Sequence, residues 1–316
     1  MARVTTESTS IIVPVYNDPD GIRDTLDSIL DHTDDRPEII VVDNGSTDHT
    51  PAVVRSYVEE YPHVRLEHER AVQGSYAARN TGLEVASGDV VVFLDADQTV
   101  TDSWLETGLE ALEARSGAYL APDVRLSSPE TPTLAGRYNR ATGFPIEEFI
   151  ERHGFAPTAC LFVTRELIDD VGSFDERLVS GGDREFGNRV RSAGYDLHYA
   201  PEVVVYHPTR DSLRSLISRN LRIGRGHCQL QRYYPDRYGR VGIPPRPSGI
   251  HRDQLEVGRG SASSVADRFT GVERALVSLL GIGMTAVRGV GYYREALAVA
   301  RGRVRRTVRQ VRSEER

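Results

Sequence analysis

Short apolar runs alternate with stretches of helical periodicity over the first third of the chain. Ser10-Ile11-Ile12-Val13-Pro14-Val15-Tyr16-Asn17 predicts a buried strand that ends in a polar turn. Asp18 before Pro19 is an N-cap with proline at the first helical position, and Ile22, Leu26, Ile29 and Leu30 follow at helical spacing. The unit then repeats. Glu38 to Asp43 predicts a strand, Asn44-Gly45-Ser46-Thr47-Asp48 a turn, and a helix runs to about Glu60. A third strand at Val64 to Glu67 leads to a helix from Gly74, and Val90-Val91-Val92-Phe93-Leu94 predicts a strand buried on both faces. Strand and helix in alternation imply right-handed crossovers, hence an α/β chain with a mostly parallel sheet flanked by helices.

Beyond the fourth strand a helix is expected from about Asp102 to Arg115 and a strand at Ala118 to Ala121. Periodicity then fades: residues 122–158 carry prolines and glycines and one helical patch from Ile146 to Arg152, a pattern typical of a binding loop. Regular structure resumes in the strand Thr158 to Val163, where Cys160 reads as a small buried apolar residue. A helix follows Gly181-Gly182-Asp183, a strand runs from Ala200 to His207, and an amphipathic helix from Leu213 ends near Gly224-Arg225-Gly226. Residues 232–264 read as a loop, and Ala275 to Val287 is an apolar run short of the roughly 20 residues that span a bilayer.

Charge changes the picture more than composition does. Residues 1–208 hold 17 Arg against 37 acids, a balance of −20, whereas residues 209–316 hold 22 Arg against 9 acids, a balance of +13. No lysine occurs, so all 39 basic residues are arginine. The acidic part argues against nucleic acid as a ligand, and the basic part suits an anionic membrane surface. Cys160 and Cys228 lie far apart, which excludes a disulfide framework and a zinc site and fits a reducing compartment. The stretch from Met1 to Ser10 lacks the apolar core of a signal peptide, so a cytoplasmic location is expected.

The candidate chemistry centres on Asp95-Ala96-Asp97, which ends the buried strand. Ligands bind at the carboxyl ends of strands in open parallel sheets, and two close carboxylates there call for a counter-charge such as a divalent cation. A metal–diphosphate site follows; the plainer reading is that both residues only end a strand and help cap the helix near Asp102. A phosphatase of the haloacid-dehalogenase type would use Asp95 as its nucleophile, but that motif opens its domain, and here three strand–helix units precede it. A nucleotidyltransferase would need a glycine-rich, basic N-terminal loop, which this chain lacks.

Val13-Pro14-Val15-Tyr16-Asn17, Val42-Asp43-Asn44-Gly45-Ser46-Thr47-Asp48, Ala77-Ala78-Arg79-Asn80-Thr81-Gly82 and Leu94-Asp95-Ala96-Asp97, in this order, resemble the family 2 glycosyltransferases of GT-A (Rossmann-like) fold. The resemblance covers about residues 9 to 225. It implies an inverting transferase with a UDP-, GDP- or dTDP-sugar donor and a Mn2+ or Mg2+ ion. In it, Pro14, Val15, Tyr16 and Asn17 line the base, Asp43 and Asn44 receive it, and Arg79 and Asn80 face the phosphates or Asp95. Asp95 and Ala96 border the ribose, and Asp97 holds the metal with His207 as a further ligand, Asp95 reaching it directly or through water. Asp183 becomes the general base, with Glu185 in reserve; Gly182 departs from the family by standing where many members have glutamate.

The organisation expected is a catalytic domain over residues 1–225, with a donor half at about 9–122 and an acceptor half at about 123–225. A linker at 226–264 and a basic amphipathic helical extension at 265–316 follow. Arg301, Arg303, Arg305, Arg306, Arg309 and Arg312 close that extension, which suits peripheral docking on the cytoplasmic leaflet. The acceptor expected is a lipid-linked glycan, a polyprenyl phosphate or a surface polysaccharide. A protein that binds donor without turnover is the other alternative, kept open by Gly182.

Overall fold

The computed structural model describes residues 5–33, 36–242, 244 and 269–314, with side chains as far as residue 301 in the last helix. The chain forms two units. The first comprises Met1–Ser128, Gly143–Glu176 and Gly182–Thr209; the second comprises Pro129–Thr142, Arg177–Gly181 and Arg210–Arg316.

The first unit begins with the alternation read from the sequence: β1 (Thr9–Val15), α1 (Pro19–Asp31), β2 (Glu38–Asp43), α2 (Thr50–Glu60), β3 (Val64–His68), α3 (Ser75–Val85) and β4 (Val90–Leu94). Asp18 caps α1 by accepting from Gly21 N at 3.0 Å, and Ile22, Leu26 and Ile29 turn inward. Every residue of β4 is buried, so this strand lies at the centre of the sheet. Burying each such side chain stabilises the fold by roughly 1.5–3 kcal/mol.

Next come β5 (Thr99–Val100), α4 (Trp104–Ala114), β6 (Tyr119–Ser127), α5 (Leu134–Thr142), α6 (Ile146–Glu148), β7 (Cys160–Thr164), α7 (Arg165–Val171), α8 (Gly182–Ser192) and β8 (His198–Pro208). The eight-stranded sheet has the order β3-β2-β1-β4-β7-β6-β8-β5. β3, β2, β1 and β4 are mutually parallel, β7 runs antiparallel to β4 and β6, β8 is parallel to β6, and β5 is antiparallel to β8. Strand order reverses at β1 and β4, whose carboxyl ends carry Tyr16 and Asp95. That reversal is where an open sheet leaves a crevice for a ligand.

The second unit contains α5 together with α9 (Leu213–Tyr233), α10 (Pro235–Tyr238) and α11 (Gly271–Glu314). Its small core joins Ala135, Leu216 and Met284, with Tyr138, Ile217, Leu280 and Val287 around them.

Three expectations need correction. Residues 122–158 are more regular than their prolines and glycines imply: β6 continues past a bulge at Pro122/Asp123 because β8 supplies a partner for residues 123–127, and α5 forms beyond it. The helix read as ending near Gly224-Arg225-Gly226 runs on to Tyr233. Its glycines mark close approach, since a Cβ on Gly224 would lie 1.9 Å from Arg288 O and one on Gly226 would lie 2.3 Å from Ser180 O. The apolar run after Ala275 belongs to a single helix, of which Gly271–Arg301 is long and apolar enough to cross a membrane by length and composition alone. The stretch expected as a loop lies, over 245–268, outside the described residues.

Candidate active site

Helix α3 organises the chemistry of the first unit. Tyr76, Arg79 and Asn80 are three and four residues apart, so they share one face. Arg79, only 3% exposed, donates from Nη2 to Asp95 Oδ1 at 2.5 Å and to Thr158 O at 3.2 Å. Tyr76 OH lies 3.4 Å from Asp183 Oδ1, and the Arg79 guanidinium sits 5.8 Å from the Tyr76 ring centre. Asn80 clamps the backbone of Phe174 in both directions, donating to its O at 2.9 Å and accepting from its N at 3.0 Å. One helix thus ties Asp95 to Asp183 and fixes the segment that leads to α8.

Asp183 lies in the first turn of α8, where the positive end of the helix favours an ionised carboxylate, and it accepts from Arg184 N at 2.8 Å. Burial pushes the Tyr119 phenol up, and the charge on Asp183 adds to it. Beneath this residue Phe174 packs on Tyr76, Phe93 and Phe186 with ring centres 5.8, 5.2 and 4.7 Å apart. Gly182 stands where a Cβ would meet the Tyr76 ring at 2.7 Å, so the family's glutamate has no room there while Tyr76 is in place. Glu185 is buried and held by Arg189 Nε at 2.8 and 3.0 Å. Arg189 in turn donates to Gly172 O and Ser173 O, which makes Glu185 a brace for that turn.

A second group forms around Asp97. His207, 6% exposed at the end of β8, places Nε2 3.6 Å from Asp97 Oδ1. Its Nδ1 lies 2.8 Å from Pro208 O, and a carbonyl only accepts, so Nδ1 carries a proton and Nε2 is the ring nitrogen that faces the carboxylate. Ala96 is buried between the two aspartates; a Cβ on Gly21 would lie 2.8 Å from its carbonyl, so α1 starts directly against this loop.

The ends of β1 and β2 are stitched together. Asn17, at φ 49°, donates its N–H to Ser46 Oγ at 2.9 Å and accepts from Thr47 N at 2.7 Å. Val15 is buried and Pro14 half-buried, whereas the Tyr16 ring stands 50% exposed. Buried Asp43 accepts from Ser46 N at 3.2 Å and faces His68 Nδ1 at 3.3 Å. Asn44 donates to Glu69 O and Val72 O and accepts from Gly74 N at 2.6 Å, which anchors the turn that starts α3. Tyr76, His68 and the Thr158 carbonyl escaped sequence reasoning, because nothing in their local pattern tells which carboxylate the fold brings to them. Cys160 is buried as expected, and burial pushes its thiol well up.

With this geometry in hand, comparison with known proteins is decisive at the level of family. The sequence model of glycosyl transferase family 2 matches residues 10–171, and glycosyltransferase AglE of Haloferax volcanii is 36% identical over 70% of this chain and 73% of its own length. The chain belongs to glycosyl transferase family 2. Pre-mycofactocin glycosyltransferase of Mycobacterium tuberculosis is 29% identical over 72% of this chain and 48% of that protein. Among solved structures, the mannosyltransferase PcManGT of Pyrobaculum calidifontis, in complex with GDP-Man and Mn2+, superposes with a TM-score of 0.61 at 20% identity. It covers 93% of this chain and 89% of that one. The fold of the transferase is therefore the GT-A fold expected. Membership decides for the transferase over the phosphatase and non-catalytic alternatives.

Proposed function

We propose that the transferase moves a sugar from a nucleoside-diphosphate donor to an acceptor hydroxyl, with inversion and with the help of a divalent cation. The observation that carries this reading is the pairing of Asp97 with His207. Asp97 Oδ1 and His207 Nε2, 3.6 Å apart, are an oxygen and a nitrogen donor that one divalent cation could bridge. That donor pair fits Mn2+, and Mg2+ with its preference for oxygen less well. No group of three His, Cys, Asp or Glu is arranged for a metal among the described residues, so diphosphate oxygens would complete the shell and donor and cation bind together. When bound, the ion would neutralise charge on the departing diphosphate, worth several kcal/mol.

In this reading the exposed Tyr16 ring stacks on the base and Asp43 accepts from an N–H on its edge. Asn17 and Asn44 hold the loops that carry those two residues, with Pro14 and Val15 beneath the base. Arg79 holds the Asp95 carboxylate in place beside the ribose, with Ala96 closing that edge, while Asn80 holds the turn before α8. Asp183 takes the proton of the acceptor hydroxyl as the new C–O bond forms and the bond to the diphosphate breaks, the electron pair leaving with the diphosphate. General-base help of this kind contributes about 10²–10⁴ in rate. Because PcManGT was solved with GDP-Man and Mn2+, that donor and ion are the first to try.

The acceptor proposed is a lipid-linked glycan, with a surface polysaccharide as the next choice, and residues 122–158 contribute to its side of the site. α11 favours the lipid. Leu276, Leu279, Ile282, Val290, Tyr293 and Leu297 are exposed at helical spacing, and the arginines that follow complement an anionic leaflet on the cytoplasmic side. One face of α11 packs on α9 through Gly291, where a Cβ would lie 2.2 Å from Leu221 O, so the helix lies along the membrane surface as a peripheral anchor.

Calorimetric titration with UDP, GDP and dTDP, with and without manganese, on the native protein and on Asp97→Ala, tests the donor site. Binding of one nucleotide that requires both manganese and Asp97 is the expected result. No binding with any nucleotide under any metal condition would end this reading.

A further inference from the structure

Strand β3 is the edge of the sheet, and its last residue, His68, stands in parallel register beside Asp43, the last residue of β2. Glu69 N donates to Asp43 O at 3.0 Å, so the backbone itself sets how far the imidazole stands from the carboxylate. His68 Nδ1 lies 3.3 Å from Asp43 Oδ2, and a carboxylate oxygen only accepts, so Nδ1 carries the proton of that bond. On the other side Ser46 N donates to Asp43 Oδ1 at 3.2 Å. Each oxygen of the carboxylate has a donor of its own.

The segment that carries His68 is tied down beyond it. Glu69 accepts from Ala71 N at 2.6 Å, Val72 N at 2.8 Å and Thr81 Oγ1 at 2.8 Å, while Asn44, next to Asp43, accepts from Gly74 N at 2.6 Å. The Asp43 side chain is 5% exposed, so a narrow edge of it faces a ligand, whereas His68 is 28% exposed and lies at the rim. The last torsion of an aspartate is soft, and a carboxylate held through one oxygen turns about it; donors on both oxygens stop that rotation. An acceptor aimed in advance then has little ordering left to undergo when its partner arrives.

We propose that His68 is the positioning residue of Asp43, and that through it the site selects a nucleobase with a ring N–H over one without. Uracil, thymine and guanine carry that hydrogen; cytosine and adenine present a bare ring nitrogen at the same edge. The proposal rests on the donor reading above, in which Asp43 meets the base. A base without the hydrogen sets its lone pair against a carboxylate that His68 keeps from turning away. Rejection of the wrong base is therefore the contribution of His68, beside the attraction that Asp43 supplies.

The test is calorimetric titration of the full chain, with manganese in excess, by UDP, dTDP, GDP, CDP and ADP, the weak binders being read by displacement of the tightest one. UDP is compared with CDP and GDP with ADP, since each pair shares a ring size. The native protein is expected to prefer the N–H base of the better-bound pair by about tenfold, the size of one hydrogen bond to a charged group. His68→Phe, which keeps a ring and removes the donor, should weaken the preferred nucleotide by about threefold to tenfold and leave its partner within about twofold. His68→Asn places an amide N–H where Nδ1 stands and should recover affinity and selectivity together. Melting temperature is read on every variant, and His68→Leu takes the place of His68→Phe if the larger ring does not fold.

Equal weakening of all the nucleotides is what a merely structural histidine would give, and it would overturn the positioning role. Unchanged binding without the donor, or lost selectivity that His68→Asn does not restore, would overturn it as well. Native protein that binds both members of each pair equally would end the selection of an N–H base and leave the donor site standing. No binding of any nucleotide would end the donor reading itself, so the two failures are told apart.

Discussion

In the sheet unit, buried charged groups meet opposite charges: Arg79 meets Asp95 and Glu185 meets Arg189. In the helical unit Arg288 of α11 instead meets a neutral partner, donating to Asn220 Oδ1 at 3.2 and 2.9 Å. The contrast follows the chain itself, with a balance of −20 before residue 209 and +13 from there on. A site that must hold its geometry through a reaction satisfies its own charges internally, because a reorganising charge costs rate. A surface that recognises an anion keeps its positive charge in excess, since that excess is the source of attraction. The two units therefore differ in how they place their charge.

The strongest way to break this comparison is to strike the charge-balanced side. Asp183→Asn is expected to lower kcat by about 10²–10⁴ while nucleotide binding, read by calorimetry, stays unchanged. Loss of binding along with rate would show that Asp183 holds structure. Striking the helical side should do the reverse. Gly291→Val, at the point where α11 meets Leu221 O, should destabilise that unit by about 1–3 kcal/mol and lower its melting temperature, with donor binding intact. A smaller effect is expected from Tyr16→Ala, which removes the exposed ring and should weaken nucleotide binding by about 0.5–1.5 kcal/mol without changing kcat at saturation.

The smallest effect sharpens the comparison through pH. Burial would raise the Glu38 carboxyl, but hydrogen bonds from Ser10, Ser87 and Arg65 outweigh burial and hold it below its ordinary value. A carboxylate lowered in the fold contributes stability that is fully present above its unfolded pKa of about 4.3 and fades as pH falls through the folded value. Chemical denaturation from pH 7 downward should therefore show an acid limb that shrinks by about 1 kcal/mol in Glu38→Gln. An identical limb in both proteins would mean that this carboxylate adds nothing to stability.

How much of the site could be read in advance depended on distance along the chain. That a buried strand ends in Asp95-Ala96-Asp97 was legible because such a strand leaves a local signature, and β4 is buried throughout. Asp18 before Pro19 was legible for the same reason, as a local cap. Tyr76 was not, because its hydroxyl meets Asp183 only once α3 and α8 are packed together, 107 residues apart. Glycines misled for a related reason. Gly224 and Gly226 carry the same symbol as a helix terminator, yet α9 passes through them, since the missing side chains admit the backbones of Arg288 and Ser180.

The sequence by itself determined the order of strands and helices, the family and the division of charge. Element order and charge follow from periodicity and composition, which are properties of neighbours in the chain, and the family from four short motifs in order. Only the tertiary structure decided that Arg79 serves Asp95, that His207 Nε2 comes within 3.6 Å of Asp97 Oδ1 and that Glu185 is already held by Arg189. Partnership between side chains is set by which elements pack together, and packing is the result of burying all the apolar faces at once.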